Sequence, residues 1–220
     1  TRAQQVGFVS SLKFRVSILV ILAVVLTGAI MLLIVVPEAE SAIQVETEHY
    51  MHDMVTANGI SLDQFIAAGN LNNKISMKNT FGNVALQGVD SSYAYIVSGS
   101  DGMMLCHPEG EKVGQPVENA RIKKVVEDIQ MGSRPETSVV EYKYKGTAKM
   151  AAYYVTKKEP TVLVITADKD DILAPINHMI KTGTVAFVIV VVIFAFLAAV
   201  ITGRMTRPLI MISKIVEKMS

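Results

Sequence analysis

Two long apolar runs without a charged side chain stand out in the pattern of hydrophobic and polar positions. They cover residues 16–36 and 183–203, and each is 21 residues long. A helix of that length extends for about 30 Å, which matches the hydrocarbon core of a bilayer. The pattern therefore predicts two transmembrane helices, one in each run.

The first run has an alternative interpretation as the core of a signal peptide. Glu40, Ser41 and Ala42 follow it and resemble a cleavage site with small residues. Signal cores are about 7–15 residues long, however, and this run is longer. We therefore favour an uncleaved spanning helix.

Helical spacing dominates the first part of the segment between the runs, residues 37–182. A seam at intervals of three and four predicts a long helix over residues 38–58 that pairs with a partner; its members are Ile43, Thr47, Tyr50, Met54 and Ala57. Asn58-Gly59 is expected to break this helix. A capping box at Ser61–Gln64 then predicts a short helix that ends at Gly69-Asn70. A further helix is predicted through Phe81, Val84 and Leu86, ending at Gly88.

From residue 92 the period changes to two, which predicts strands. The predicted strands are 93–97, 103–107, 137–144, 149–156 and 161–167. Asn119 is expected to cap a helix between the second and third strands, and Gly132 to end it. The last three strands are joined by short turns and should form an antiparallel meander. The predicted fold is therefore α+β, a five-stranded antiparallel sheet with a long N-terminal helix on one face.

The end of this domain is expected to lead directly into the second span. Asp168 or Asp170 can cap a helix that has no obvious stop before residue 183. Pro175 fits only near the start of that helix, or as a kink.

The distribution of charge orients the chain. Arg2, Lys13 and Arg15 precede the first run, and four basic residues against one acid follow the second, whereas residues 37–182 carry 14 basic and 19 acidic residues. By the positive-inside rule, both termini (residues 1–15 and 204–220) are cytoplasmic and the domain faces outward. We thus expect a cell-membrane protein with two spans and an extracellular or periplasmic domain. No basic patch indicates nucleic acid as a partner.

Composition agrees with a membrane protein, since 50% of the residues are hydrophobic and 19% are charged. The chain begins with Thr1 and stops at Ser220 within a repeating pattern. We expect it to be a piece of a longer receptor.

Candidate chemistry in the sequence is sparse. Cys106 is the single cysteine, which excludes an internal disulfide and a Cys-rich zinc site, and it is expected to be a small buried hydrophobe. His49 and His52 have a spacing that zinc helices use, but nothing else supports a metal site. Neither a Ser-His-Asp motif nor a glycine-rich phosphate loop is recognisable. We therefore expect no enzyme, no metal and no cofactor.

Several short motifs resemble a known family. They are Tyr93-Ala-Tyr95-Ile-Val, Asp101-Gly102, His107-Pro108 and Val113-Gly114-Gln-Pro116. This pattern is similar to the extracellular Cache domain of bacterial and archaeal sensors, a relative of the PAS fold. Thr206-Arg207-Pro208-Leu209, after the second run, resembles the entry of a HAMP linker. Together these features resemble the front half of a methyl-accepting chemotaxis protein.

The resemblance implies a function and partners. A small ligand would lie between one sheet face and the loop and helix that follow His107. The receptor would be a homodimer, because a single HAMP helix leaves its apolar seam exposed. A chemotaxis kinase and its adaptor would bind a C-terminal signalling region outside these 220 residues. The alternative is the sensor region of a membrane histidine kinase or of a cyclic-dinucleotide enzyme.

Strand parity selects the residues for ligand binding. A two-residue turn at Lys145-Gly146 pairs Tyr144 with Thr147 and Tyr142 with Lys149, which puts the more apolar face toward the pocket. The predicted ligand-binding residues are Tyr93, Tyr95, His107, Tyr142, Lys149 and Tyr153. An ammonium group among phenols suits a small carboxylate or an amino acid. Three alternatives stay open: the tyrosines are core residues, Lys149 lies at an edge, and His107 caps a loop.

Overall fold

The structure is a computed structural model that describes residues 12–205. Residues 40–175 form one compact unit, and the apolar segments on either side of them belong to a second unit. The predicted HAMP entry and most of the predicted cytoplasmic N-terminus lie outside the described residues. The fold of residues 40–175 positions the candidate site.

Regular elements account for most of the described chain. The helices are α1 (Leu12–Ala67), α2 (Lys74–Phe81), α3 (Ala120–Gln130), α4 (Lys169–Ile172) and α5 (Ala174–Met205). The strands are β1 (Tyr93–Ser98), β2 (Met104–Cys106), β3 (Ser138–Tyr144), β4 (Thr147–Val155) and β5 (Thr161–Asp168). A short 3₁₀ turn, Gly110–Lys112, lies in the loop between β2 and α3. All five predicted strands are present, and none of their ends is shifted by more than two residues.

The strands form one antiparallel sheet in the order β2-β1-β5-β4-β3. The meander of β3, β4 and β5 is therefore confirmed, and β1 pairs with β5 in the centre of the sheet. Lys145 and Gly146 both have positive φ, at 49° and 89°, as a two-residue hairpin turn requires. This turn fixes the predicted register, in which Tyr144 faces Thr147 and Tyr142 faces Lys149.

Each face of the sheet packs against helices, because side chains alternate along the strands. One face carries Met150, Ala152 and Tyr154 of β4 and packs against α1 and α2. The other face carries Ala151 and Tyr153 and packs against α3. The long N-terminal helix thus occupies one face, as predicted, and leaves the other to α3 and the loop that precedes it.

The predicted break at Asn58-Gly59 is wrong, because α1 continues to Ala67. The Asn58 amide donates to the carbonyl of Met54 one turn back, so it supports the helix and does not cap it. Gly59 lies against the ring of Tyr154, where a Cβ atom would overlap the ring. Glycine is needed here for close approach and not for a turn. The separate helix predicted from Ser61 is therefore the last part of α1.

Two further expectations are corrected. The helix predicted through Phe81, Val84 and Leu86 ends at Phe81; it begins after Asn73, whose side chain accepts from the backbone N–H of Ser76 at 3.0 Å. Met54, predicted to face a partner, packs against the buried core under the sheet. One residue of the predicted seam thus packs within its own domain and is not free to contact a partner, whereas Tyr50 is exposed.

The second unit consists of apolar helix. α1 and α5 are each long and apolar enough to cross a membrane, by length and composition, over Ile18–Ala67 and Ala174–Leu197. Many large apolar side chains of both helices are exposed, including Leu33 and Phe196. Gly28 of α1 lies against Phe187 of α5, and a Cβ atom there would overlap the ring. Pro175 is the second residue of α5, where a proline costs no helical hydrogen bond, as predicted.

Candidate functional site

A cleft lies on the sheet face that carries α3. Its lining comes from β1, β2, β3 and the loop between β2 and α3. The lining residues are Tyr93, Tyr95, Met104, His107, Lys112, Glu118, Asn119, Tyr142 and Tyr144. Four of the seven tyrosines of the chain therefore meet at one place.

The strand register brings these tyrosines together. Tyr93 and Tyr95 are two positions apart on β1, and Tyr142 and Tyr144 are two positions apart on β3. Since successive side chains of a strand point to opposite faces, the two tyrosines of each pair lie on the same face. The Tyr142 hydroxyl lies 2.9 Å from the hydroxyl of Thr166 on β5. Burial raises the pKa of the Tyr93, Tyr95 and Tyr142 phenols, so these groups are neutral at physiological pH.

His107 extends the aromatic cluster at the end of β2. Its ring centroid lies 5.2 Å from that of Tyr93 and 5.8 Å from that of Tyr95. The backbone N–H of Glu109 donates to Nδ1 at 3.0 Å, so the proton of the neutral imidazole is on Nε2. Burial, and then the ammonium of Lys112, lower the pKa of His107 below its ordinary value. The ring is therefore a neutral donor at neutral pH.

Asn119 connects the cleft to α3. Its side-chain oxygen accepts from the backbone N–H groups of Arg121 at 2.9 Å and Ile122 at 3.4 Å, which caps the helix as predicted. With the oxygen thus occupied, the amide nitrogen points to Tyr95 and donates to its hydroxyl at 3.4 Å. One side chain therefore fixes both the start of α3 and the position of a cleft phenol.

The mouth of the cleft carries charged residues. Tyr144 donates a hydrogen bond to the carboxylate of Glu118, which lowers the pKa of that carboxyl group. The Lys112 ammonium lies 3.1 Å from a carboxylate oxygen of Glu109. These contacts connect β3 to the loop that covers the sheet.

Not all predicted site residues line the cleft. The structure brings Tyr93, Tyr95, His107 and Tyr142 together there. Lys149 lies beside the cleft, with its ammonium 5.7 Å from the centroid of the Tyr93 ring, and forms an ion pair with Asp168. Tyr153 is part of the core between the sheet and α3.

Sequence reasoning missed five lining residues: Met104, Lys112, Glu118, Asn119 and Tyr144. Tyr144 has the same strand parity as Tyr142, and that signal was sufficient to include it. Asn119 was recognised only as a helix cap. Lys112 and Glu118 lie in an irregular loop, where no periodicity indicates the direction of a side chain.

The cleft is narrow in this structure. It contains about 20 Å³ of space open to the centre of a water molecule. One water molecule needs about 10–15 Å³ of such space. A larger guest therefore requires the tyrosines or the covering loop to move.

His49 and His52 lie apart from the cleft, on α1. His52 Nδ1 is 3.5 Å from a carboxylate oxygen of Asp53. Between residues 12 and 205, no group of three or more His, Cys, Asp and Glu side chains is arranged to hold a metal ion.

Comparisons with known proteins give distant structural neighbours. No protein-family model matches the chain, and no curated protein matches it. Among solved structures, the extracellular domain of mmHK1S-Z2, described as a histidine kinase, is 22% identical over 46% of this chain and 38% of that one, with a TM-score of 0.37. The ligand-binding domain of Mlp24 with asparagine is 16% identical over 47% and 38%, with a TM-score of 0.34.

A third neighbour is the ligand-binding domain of the Pseudomonas aeruginosa PAO1 amino acid chemoreceptor PctB in complex with L-arginine. It is 21% identical over 42% of this chain and 36% of that one, with a TM-score of 0.30. These neighbours are the extracellular domain of a histidine kinase and two ligand-binding domains, one of them from a chemoreceptor, and the chain spans about two fifths of their length. All three lie below 25% identity and below a TM-score of 0.5, so none of them assigns a function to this chain.

Proposed function

We propose that the chain is the sensing part of a transmembrane chemoreceptor. Residues 37–182 lie outside the cell and bind a small carboxylate or an amino acid in the tyrosine-lined cleft. The protein binds its ligand without turning it over. Residues 183–203 and the HAMP linker transmit the signal to a cytoplasmic chemotaxis region that engages the kinase and adaptor, in a homodimer.

The cleft is the observation that carries this proposal. It places neutral phenols, the neutral imidazole of His107 and the amide of Asn119 around one space on one face of the sheet. Convergent polar groups among aromatic side chains are typical of a small-molecule site. No grouping of a nucleophile with a base accompanies them in the lining, which favours binding over catalysis.

Chain connectivity supports signalling through the second span. β5 ends at Asp168, α4 covers the next four residues, and α5 begins at Ala174. A change in the position of β5 is therefore passed to α5 through a very short connection. The ligand can supply only the difference between its affinities for the two arrangements.

A ligand screen tests the binding function. The 220-residue chain in lipid nanodiscs is heated with a panel of amino acids and small carboxylates, and the midpoint of thermal unfolding is recorded. At least one compound should raise the midpoint, by an amount that grows with its concentration. The shift should decrease in Tyr95→Phe and persist in Tyr50→Phe, since Tyr50 is exposed on α1. If no compound raises the midpoint, the proposed function is wrong.

Membrane topology is tested separately in intact cells. Single cysteines at exposed positions of residues 37–182, in a Cys106→Ala background, should react with a maleimide that cannot cross the membrane. Cysteines in residues 1–15 should react only after the cells are permeabilised. Protection of the middle segment would contradict the orientation.

A further inference from the structure

Two of the three lysines near the cleft tyrosines are already paired with acids. Lys149 forms an ion pair with Asp168, and the Lys112 ammonium lies 3.1 Å from the Glu109 carboxylate. No arginine is among the residues that line the cleft in the described chain. A ligand carboxylate would therefore gain a charge-assisted hydrogen bond from Lys112 or Lys149 only by breaking an existing ion pair. Lys145 forms no ion pair among the described residues, but it is exposed to solvent beside the Tyr144 ring, where a contact with a carboxylate contributes little.

The tyrosine rings, in contrast, are already in contact with cations. Within residues 12–205, lysine ammonium groups lie over aromatic rings in three places, and each ring belongs to a cleft tyrosine. Lys145 and Lys112 lie 5.1 Å and 5.8 Å from the centroid of the Tyr144 ring. Lys149 lies 5.7 Å from that of Tyr93. These separations are within the range in which a ring attracts a cation.

The remaining groups of the cleft suit a positive guest. The phenols of Tyr93, Tyr95 and Tyr142 are neutral, so their rings act through the negative face of the π system. The Glu118 carboxylate at the mouth is ionised at neutral pH and supplies a negative charge. Lys145 is exposed, so it can leave the Tyr144 ring for solvent without being buried elsewhere.

We propose that the cleft recognises the ammonium group of its ligand, through an aromatic cage formed by Tyr93, Tyr95, Tyr142 and Tyr144 with Glu118 at its mouth. This inference rests on the proposed function and narrows its ligand class. The cleft takes amines, quaternary ammonium compounds and amino acids, and it discriminates against small carboxylates that have no cationic nitrogen. The incoming ammonium group replaces a lysine ammonium on the ring of Tyr144.

Three probes separate charge from shape. Choline carries a quaternary ammonium group; its neutral carbon analogue has a tert-butyl group in place of trimethylammonium; acetate carries only a carboxylate. Each is titrated by calorimetry into the 220-residue chain in lipid nanodiscs, at constant ionic strength. Choline should bind, and the two other probes should bind at least about tenfold more weakly.

Paired variants identify the role of the ring. Tyr144→Phe keeps the ring and loses the hydroxyl, so it should bind choline within about threefold of the unchanged chain, whereas Tyr144→Leu should lose roughly 3- to 30-fold. Tyr50→Leu, on the exposed side of α1, is the control and should leave the affinity unchanged. Tyr93→Phe and Tyr93→Leu provide a second pair if Tyr144→Leu unfolds below the assay temperature.

The outcomes distinguish this inference from the function on which it rests. If amino acids and acetate bind equally and choline does not bind, the cleft is a ligand site and the ammonium preference is wrong. Equal binding of choline and its neutral analogue would also overturn the preference, because shape alone would then explain binding. If no amino acid, carboxylate or ammonium compound binds, both proposals fail.

Discussion

Lys149 of β4 and Asp168 of β5 are direct cross-strand partners, and their side chains form an ion pair at the end of the sheet. Asp168 is also the residue before α4, so it occupies the cap position of that helix. Its carboxylate does not cap the helix, since it accepts from Lys149. The ion pair therefore lies between the ring of Tyr93 in the cleft and the start of α4.

Removal of one partner of this ion pair should destabilise the domain. The side chains of Lys149 and Asp168 are 11% and 28% exposed. Removal of either charge would therefore leave the other charge partly buried and unpaired. We expect Lys149→Met and Asp168→Asn each to lower the free energy of unfolding by about 1–3 kcal/mol. The double variant should lose less than the sum of the two losses. Strict additivity in chemical denaturation would show that the pair does not couple.

Asn119 should contribute mainly as a helix cap. Asn119→Ala removes the acceptor for the first backbone N–H groups of α3, whereas Asn119→Ser keeps an acceptor and removes the contact with Tyr95. The free energy of unfolding of the alanine variant should be about 1 kcal/mol lower than that of the serine variant. Tyr95→Phe, which leaves the cap intact, serves as the comparison. Equal stabilities of the alanine and serine variants would contradict the assignment.

Gly59 should tolerate no side chain, although it lies inside a helix. Alanine at an exposed helical glycine stabilises by up to about 1 kcal/mol. At Gly59 the added methyl group would overlap the ring of Tyr154, and the displaced ring would strain its hydrogen bond to Asp63 at 2.8 Å. We expect Gly59→Ala to cost about 1–3 kcal/mol. Gly110→Ala is the matched control, because no atom lies within 4 Å of its added Cβ; it should unfold at the same midpoint as the unchanged chain.

Stability should decrease at mildly acidic pH because of His107. Burial lowers the pKa of this imidazole below its ordinary value of 6.5, so the unfolded chain binds the proton more tightly than the folded chain. The contribution of the neutral imidazole to the free energy of unfolding is complete above pH 6.5. It is lost as the pH falls from 6.5 toward the lowered pKa of the folded chain. His107→Gln should reduce this slope in denaturation curves recorded at a series of pH values. An unchanged slope in the variant would assign it to other groups.

The sheet was predictable from the sequence because alternation and turn chemistry are local. Lys145-Gly146 fixes the turn, and the turn fixes the register of β3 with β4 and the face that Tyr142 occupies. Gly59 was misread because its role depends on Tyr154, a residue far away in the sequence that approaches only in the folded chain. A rule based on neighbouring residues cannot distinguish a glycine that ends a helix from one that allows an aromatic ring to pack closely against the helix.

The site was less predictable than the sheet. Tyr142 was identified from parity, but the position of Lys149 also depends on β5, and the longer connection between β4 and β5 does not set their register as a two-residue turn does. Lys112 and Glu118 lie in a loop whose shape depends on glycine φ angles and on the 3₁₀ turn. The conformation of that loop brings both residues close to Tyr144, and no repeating pattern in the sequence predicts it.

The small volume of the cleft has a kinetic consequence. A guest larger than one or two water molecules requires an open form of the cleft, so the fraction of the ligand-free protein in that form enters the apparent affinity. The apparent dissociation constant is then the intrinsic constant divided by the open fraction. The observed association rate should level off at high ligand concentration, at the rate of opening. A substitution that holds the covering loop open would raise the apparent affinity and, by the same equilibrium, shift the output toward its ligand-bound level before any ligand is present.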